Sequence, residues 1–488
     1  MNRPIREILA ACFGRTWRLA VGFTCVRTSE CIAPPSPTGT RLYYSGKCAR
    51  AKLRAGRPRG QSTKVLDILE VWDFGRIAYL GTILAFASIQ SALACDANLR
   101  ALNDALSGLP ERFGHAVSTG ESAVVPISVE GGEVIVDVAI NGKGPFPMMF
   151  DTGGVEVITP GTAAALGLEV KGAGIARGSA ESDVPVVISS VNDMRLGKMQ
   201  LLNPPVLVAH LPRFMTDRGR EAPLAGFIGH DLLARFAVRL DYEAKTMTLT
   251  PAQEFRYLGS GICVPLDLVG DIPVVSAAAD GIAGRFELDT GSSSALVLHR
   301  EFVNEHGFDV RHPNGLSMKA GGVDGVFETI VTRLDSFQIA NAEIKRPLAE
   351  FPSKGKNGLP LTDIGGSIGY QILRQFVITF DYSRREVWFE RSAAFGTKTI
   401  QLKTGFQAVK ADGPGFRVVT VLPDTPAAAA GIHVGDVITE VDGLPAESIG
   451  QGQFGDLMRR PDGTLVHLSI VHDGVPHVLT LFLKELLP

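Results

Sequence analysis

Cysteine is scarce in this chain. There are six in 488 residues, and four of them, Cys12, Cys25, Cys31 and Cys48, lie near the amino terminus. The other two, Cys95 and Cys263, can build neither a disulfide framework nor a zinc-ligand spacing. The sequence has no His-Glu-x-x-His and no Walker loop, and His210, His230, His299 and His306 fall at no metal-ligand spacing. A zincin and a P-loop enzyme are therefore excluded by motif, and the expectation is no metal and no organic cofactor. Apolar runs are short as well; none reaches the roughly 18 residues that read as a membrane-spanning helix.

What is abundant is glycine, 54 residues, in an otherwise ordinary composition of 45% hydrophobic and 20% charged residues. That balance leans toward a turn-rich, mostly β chain. At about 150 residues per domain the length predicts three folded units plus additional sequence. The net charge of -3 hides an asymmetry, because residues 1 to 64 hold 13 Lys and Arg against only Glu7 and Glu30. That stretch carries +11 and the remainder -14. It lacks hydrophobic periodicity and contains PPSPTGT, so it reads as a targeting extension or an over-long start, and no nucleic-acid partner is expected. Residues 1–94 form this extension. It ends in a secretory signal over 76–94, where Arg76 precedes the apolar run Ile77 to Ile89 and Ala92-Leu93-Ala94 supplies a small-x-small cleavage site. Cys95 follows directly, but Ala92 stands where a lipoprotein signal wants a branched aliphatic residue. The location predicted is secreted or periplasmic, with a membrane anchor only if the apolar segment or a lipid is retained.

Beyond the extension one unit is written twice. Residues 122–251 and 262–391 each begin with an alternating apolar hairpin, VVPISVEGGEVIVDVAI and VPLDLVGDIPVVSAAA. Each continues to an apolar strand ending in Asp-Thr-Gly, PMMFDTGG and RFELDTGSSS. Each closes on a shared pattern, GFIGHDLLARFAVRLDYEAKTMTL and GSIGYQILRQFVITFDYSRREVWF. The copies stay in register: Asp151 lies 78 positions before Gly229, and Asp289 lies 80 before Gly369. A lone Asp-Thr-Gly is expected by chance in roughly one chain in ten of this size; a matched pair is far more specific.

Paired in this way, the motifs resemble the aspartic protease superfamily, nearest to retropepsin-like proteases but with both lobes in one chain, as in pepsin-like enzymes. The resemblance implies a mostly β fold of two acid-protease β-barrel lobes. It also implies that Asp151 and Asp289 are the catalytic pair, one taking a proton from water while the other gives one to the amide carbonyl. Like charges that close cannot both ionise, so the pair keeps one proton. Thr152 and Thr290 are expected to bond across the lobes, Gly153 and Gly291 to allow the tight turn, and Ile228-Gly229 and Ile368-Gly369 to pass behind the two loops as support. Ser292 follows the second motif where the family often has a hydroxyl on the carboxylate, whereas the first copy has Gly154. Loss of that donor raises the pair's titration and predicts activity nearer neutrality than in a pepsin. Asp231 and Asp241 read as local caps or turns.

Glycine-rich stretches after each motif are flap candidates: Gly174 and Gly178 in the first copy, Gly321, Gly322 and Gly325 in the second. GAGIARG there opens no apolar helix and is discounted as a nucleotide loop. Residues 400–488 resemble a bacterial PDZ domain, an α+β module, through Pro-x-Thr-Pro-Ala, Gly-Asp-x-Ile and an Asp-Gly turn. That resemblance implies capture of peptide C-termini by a Gly-apolar loop and strand addition, matched here to Gly415, Phe416 and Val418. The function expected is aspartic endopeptidase action on protein or peptide substrates, with the PDZ module recruiting them. The rival is a catalytically inactive peptide-binding scaffold; a lipid-tethered or intramembrane processing enzyme would need the Ile77 to Ile89 run retained.

Overall fold

The computed structural model describes residues 24–25, 31–32, 115–117, 121–169, 171–178, 182–352, 363–400, 403–411 and 413–487. The signal segment 76–94 and Cys95 lie outside these residues. The chain divides into two units, Met1–Gln90 and Ser91–Pro488. In the first, the described residues are two short strands, Thr24–Cys25 and Cys31–Ile32, paired antiparallel.

The second unit is mostly β and holds two lobes and a C-terminal domain. The first lobe starts with an antiparallel meander, Ala123–Glu130, Glu133–Ile140 and Lys143–Phe150. Its alternating sequence places Val134, Val136, Val138 and Ile140 inside, each no more than 1% exposed, as the two-residue period of a strand demands. The second lobe repeats the hairpin with Ile272–Ala279 and Ile282–Leu288. In each lobe a three-residue strand then returns parallel to the one that carries the Asp. Gly226–Ile228 runs beside Lys143–Phe150, and Gly366–Ile368 beside Ile282–Leu288. Both returning strands are buried along their whole length, Ser367 included, as expected for parallel strands inside a sheet.

A six-stranded antiparallel sheet joins the lobes. Its centre is the pairing of Phe236–Asp241 with Phe376–Asp381, Val238 opposite Phe380 and Leu240 opposite Ile378. Thr246–Pro251 and Glu386–Arg391 flank them, Ile262–Pro265 forms one edge, and on the other side Ala123–Glu130 carries the sheet on into the meander of the first lobe. The four inner strands are the two closing hairpins of the repeat. Each turns on its own Asp: Asp241 accepts from the Ala244 amide at 2.9 Å, and Asp381 from the Ser383 hydroxyl at 2.5 Å and the Arg384 amide at 3.2 Å. One apolar core runs through both lobes, with Phe150, Phe236, Phe286 and Phe380 fully buried.

The C-terminal domain has its own core. Its strands lie in the lateral order Phe406–Lys410, Phe416–Val421, Val437–Val441, Leu465–His472, Val475–Phe482. Helices Pro426–Ala429 and Gln451–Met458 cover it. This order corrects the peptide-binding assignment to Gly415, Phe416 and Val418. The strand that Gly415 opens is interior, paired on both sides. Phe416 and Val418 are core residues, and Phe416 stacks on Phe454 at 4.2 Å. Phe406–Lys410 is an edge strand instead, headed by a second Gly-apolar pair, Gly405-Phe406, which local sequence could not distinguish from the first.

Candidate active site

Asp151 and Asp289 follow directly on their strands, and the returning strands hold both backbones. The Asp151 amide donates to Ile228 O and the Asp289 amide to Ile368 O, each at 3.0 Å. Glycine is required just after: a Cβ on Gly229 would collide with the carbonyl oxygens of Asp151 and Gly154, and one on Gly369 with those of Ser292 and Ser294. Each carboxylate is aimed by its own loop, Asp151 Oδ1 accepting from Gly153 N–H and Asp289 Oδ1 from Gly291 N–H, both at 2.9 Å. A carbon built on Gly153 would stand 3.4 Å from Oδ1 of both aspartates, and one on Gly291 2.7 Å from Asp151 Oδ1. The two carboxylates thus converge on one point across the lobe boundary.

Thr152 and Thr290 lock this arrangement. The amide of each donates to the other's hydroxyl at 3.0 Å. The Thr152 hydroxyl donates to Leu288 O at 2.5 Å and the Thr290 hydroxyl to Phe150 O at 2.7 Å. Both side chains are fully buried, so all four bonds are made away from water.

Burial raises Asp151 to about 6, against the pull of the Gly153 amide. Asp289 is raised to about 7 by burial and then by the charge of Asp151, against the amides of Gly291 and Ser292. It is the backbone amide of Ser292 that pulls Asp289 down, while the Ser292 hydroxyl accepts from the Ser294 amide at 3.4 Å. Beside Asp151 there is no hydroxyl: a Cβ on Gly154 would lie 3.0 Å from Asp151 Oδ2.

Three more acids surround the pair, and sequence reasoning missed them. Glu287 is pushed well up by burial and by Asp289 and Asp151, and Glu133 is pushed to about 8 by burial, Glu130 and Asp151. Glu156, 3% exposed, sits behind the first loop and accepts from the amides of Gly229, Asp231 and Leu232 at 3.2 to 3.3 Å. Burial and Asp231 raise it to about 8. A readable signal existed for Glu287 alone, since it occupies an inward position where the first copy has Met149.

Both glycine-rich stretches are hairpins, Gly172–Arg177 with Asp183–Ser190 and Leu316–Gly322 with Gly325–Arg333. Their tips meet: Asp324 Oδ2 accepts from the amides of Gly178 at 3.2 Å and Ser182 at 2.9 Å. Gly178, Gly321 and Gly322 line the cavity over the aspartates, of about 640 Å³. Gly174 instead packs on Val186 and Gly325 shapes the turn with φ 126.

The C-terminal domain forms part of the same cavity, contributing Gln407, Gln451 and Phe454 to its wall. Gln407 clasps the second flap hairpin, its Oε1 accepting from Lys319 N at 2.7 Å and its Nε2 donating to Lys319 O at 2.6 Å. Asp456 Oδ2 takes the Gly131 amide at 3.2 Å, and Arg213 Nη1 donates to Ala411 O at 2.7 Å. Away from the cavity, His433, Asp436 and His472 form the one group among the described residues with metal-ligand spacing. Its carboxylate already accepts from His472 Nδ1 at 2.6 Å and from the His433 amide at 2.9 Å.

The family model described as aspartyl protease matches residues 136–232, the stretch with Asp151 and Ile228-Gly229, and the model described as PDZ domain matches residues 417–471. The chain carries an aspartyl protease domain and a C-terminal PDZ domain. Asp289 lies beyond the stretch matched by the protease model and is tied to it by the threonine bonds. Among solved structures, the chain is similar to the aspartic proteinase from Irpex lacteus at a TM-score of 0.39 and 11% identity, covering 57% of this chain and 99% of that one. No curated protein matches it. Among the described residues, no helix of the protease or PDZ domain is long and apolar enough to cross a membrane.

Proposed function

We propose that the chain is an aspartic endopeptidase in which Asp151 and Asp289 activate water, with no covalent intermediate, and that its PDZ domain recruits protein substrates or partners by their C-termini. The observation that carries this reading is the convergence of two part-buried carboxylates on one point, held by the reciprocal bonds of Thr152 and Thr290. Raised titration in both aspartates leaves one proton on the pair near neutral pH. One member can then accept a proton from water while the other protonates the carbonyl oxygen. The flap hairpins meeting over the cavity supply a cover that excludes water and pairs with extended substrate backbone. The signal-like pattern over 76–94 supports a location outside the cytoplasm, secreted or periplasmic; the mass of the mature amino terminus tests that.

The test of function is cleavage of a denatured-protein or peptide-library mixture, with and without a statine-type transition-state inhibitor. Cleavage abolished by the inhibitor supports the enzyme. A folded, monodisperse protein that cuts nothing would point to the scaffold reading, with the PDZ domain as the binding site.

A further inference from the structure

The two lobes differ at matched positions beside the aspartates. Parallel pairing places Met149 opposite Phe227 in the first lobe and Glu287 opposite Ser367 in the second, and all four side chains line the cavity. Met149 and Glu287 each stand two residues before their aspartate, so they present corresponding walls to a substrate held across the dyad. The first wall is apolar: Met149 and Phe227, 1% and 3% exposed, pack with Ile135 and Leu224, and the flap-tip residue Val323 rests on them. The second is a carboxyl next to a hydroxyl.

Glu287 is close to the chemistry. Its Oε1 would lie 2.5 Å from a carbon on Gly153, the same carbon that would stand 3.4 Å from Oδ1 of Asp151 and of Asp289. No hydrogen bond or ion pair satisfies this carboxyl among the described residues, and the guanidinium groups lining the cavity are engaged elsewhere, Arg218 with Glu130 and Arg459 with Asp456. Burial and two neighbouring aspartates hold it well above the usual carboxylate range. An acid kept there without a partner is costly, and what would satisfy it is a donor or a cation brought by the ligand.

We propose that Glu287 and Ser367 form a subsite for a basic substrate side chain, lysine or arginine, so that the protease cuts between a basic residue held by the second lobe and an apolar residue held by Met149 and Phe227 of the first. The inference rests on the proposed endopeptidase activity. A cation entering the subsite offsets the burial and neighbouring charges that keep Glu287 protonated, so the carboxyl releases its proton to solvent and forms a charge-assisted bond with the cation, backed by the Ser367 hydroxyl, whereas an apolar side chain would leave the carboxyl unpaired.

Two readouts on the full chain test it. The first is kcat/KM for matched peptides with Lys, Arg, Leu or Met at each position flanking the scissile bond. At one position the wild type is expected to favour Lys or Arg over Leu roughly tenfold or more. Glu287→Met, which installs the residue of the first lobe, should reverse that ratio, and the near-isosteric Glu287→Gln should flatten it while thermal unfolding reports that both variants are folded. The second readout is binding of hydroxyethylene-linked, uncleavable peptides carrying Lys or Leu at the same positions, with the same change in preference expected. Cleavage with no basic preference, or a preference that survives both substitutions, overturns the subsite. Absence of turnover with the Lys preference intact in binding would sink the endopeptidase reading and leave the subsite standing; no preference in either readout removes the subsite.

Discussion

Thr152 and Thr290 exchange hydrogen bonds, each amide donating to the other's hydroxyl at 3.0 Å, in a region fully shielded from water. Each hydroxyl also donates onward into the opposite lobe, to Leu288 O and Phe150 O. A single threonine therefore anchors two bonds between lobes, and its loss leaves buried partners unpaired.

Thr152→Ala is expected to destabilise the chain by about 2–4 kcal/mol, the cost of two buried bonds and their orphaned partners, and to lower kcat more than KM because the dyad loosens. Thr152→Ser keeps the hydroxyl and should recover most of both. Chemical denaturation and steady-state kinetics on the two variants check this; an alanine variant as active and stable as the serine one would count against the lock.

With Asp151 raised to about 6 and Asp289 to about 7, one shared proton is present between those values. Above about 7 the pair loses it, and below about 6 a second proton arrives, so kcat/KM should be bell-shaped with its maximum near pH 6 to 7. Gly154→Ser would place a hydroxyl beside Asp151 Oδ2, 3.0 Å from the new Cβ. A bond to the charged form lowers a carboxyl's titration, so the acid limb should move to lower pH. An acid limb that does not move, measured over pH 3 to 9, contradicts the assignment of that limb to Asp151.

Glu156 is raised from 4.5 to about 8 by burial and Asp231. Below about 4.5 it is protonated in folded and unfolded chains alike and titration costs nothing. Between 4.5 and 8 the unfolded chain releases the proton while the folded one keeps it, so stability falls as pH rises. Above about 8 the full cost of a buried charge remains. Glu156→Gln gives up one of the two oxygens that accept from the Gly229, Asp231 and Leu232 amides at every pH, so its Tm relative to the wild type should shift upward by roughly 2–4 °C between pH 4.5 and pH 8.5. Equal shifts at both pH values would show that packing, not titration, sets the effect.

Gln451 occupies the open edge of the PDZ sheet. Its Oε1 accepts from Lys410 N at 2.8 Å and its Nε2 donates to Ala408 O at 3.0 Å, the backbone groups that strand addition would use. Gln451→Ala should strengthen binding of C-terminal peptides by about 3- to 10-fold, read by fluorescence anisotropy. Weaker binding would mean that the glutamine contacts the ligand rather than competing with it.

The repeat made the lobes legible in the sequence, because period-two stretches, the Asp-Thr-Gly pair and the closing hairpins are local patterns set by strand geometry. Asp151 and Asp289 were candidates for the same reason. The PDZ edge was not legible: Gly405-Phe406 and Gly415-Phe416 are both Gly-apolar pairs, and only the lateral strand order decides which one faces outward. Nor could sequence show the PDZ domain walling the cavity, since Gln407 and Asp456 reach the flap and Gly131 through polar contacts between residues 88 and 325 positions apart. Glu156 and Glu133 escaped because each borders valine at a strand or loop where nothing local shows which way the carboxyl faces.

The central claim, that Asp151 and Asp289 act as one unit on water, is tested most directly by kcat/KM on one peptide substrate for Asp151→Asn, Asp289→Asn and the double variant. The account predicts that each single change removes activity by at least roughly a thousandfold and that the double variant loses little more, because a proton-sharing pair fails as a whole. Independent, multiplying losses, or either single variant retaining near-wild-type activity, would contradict it.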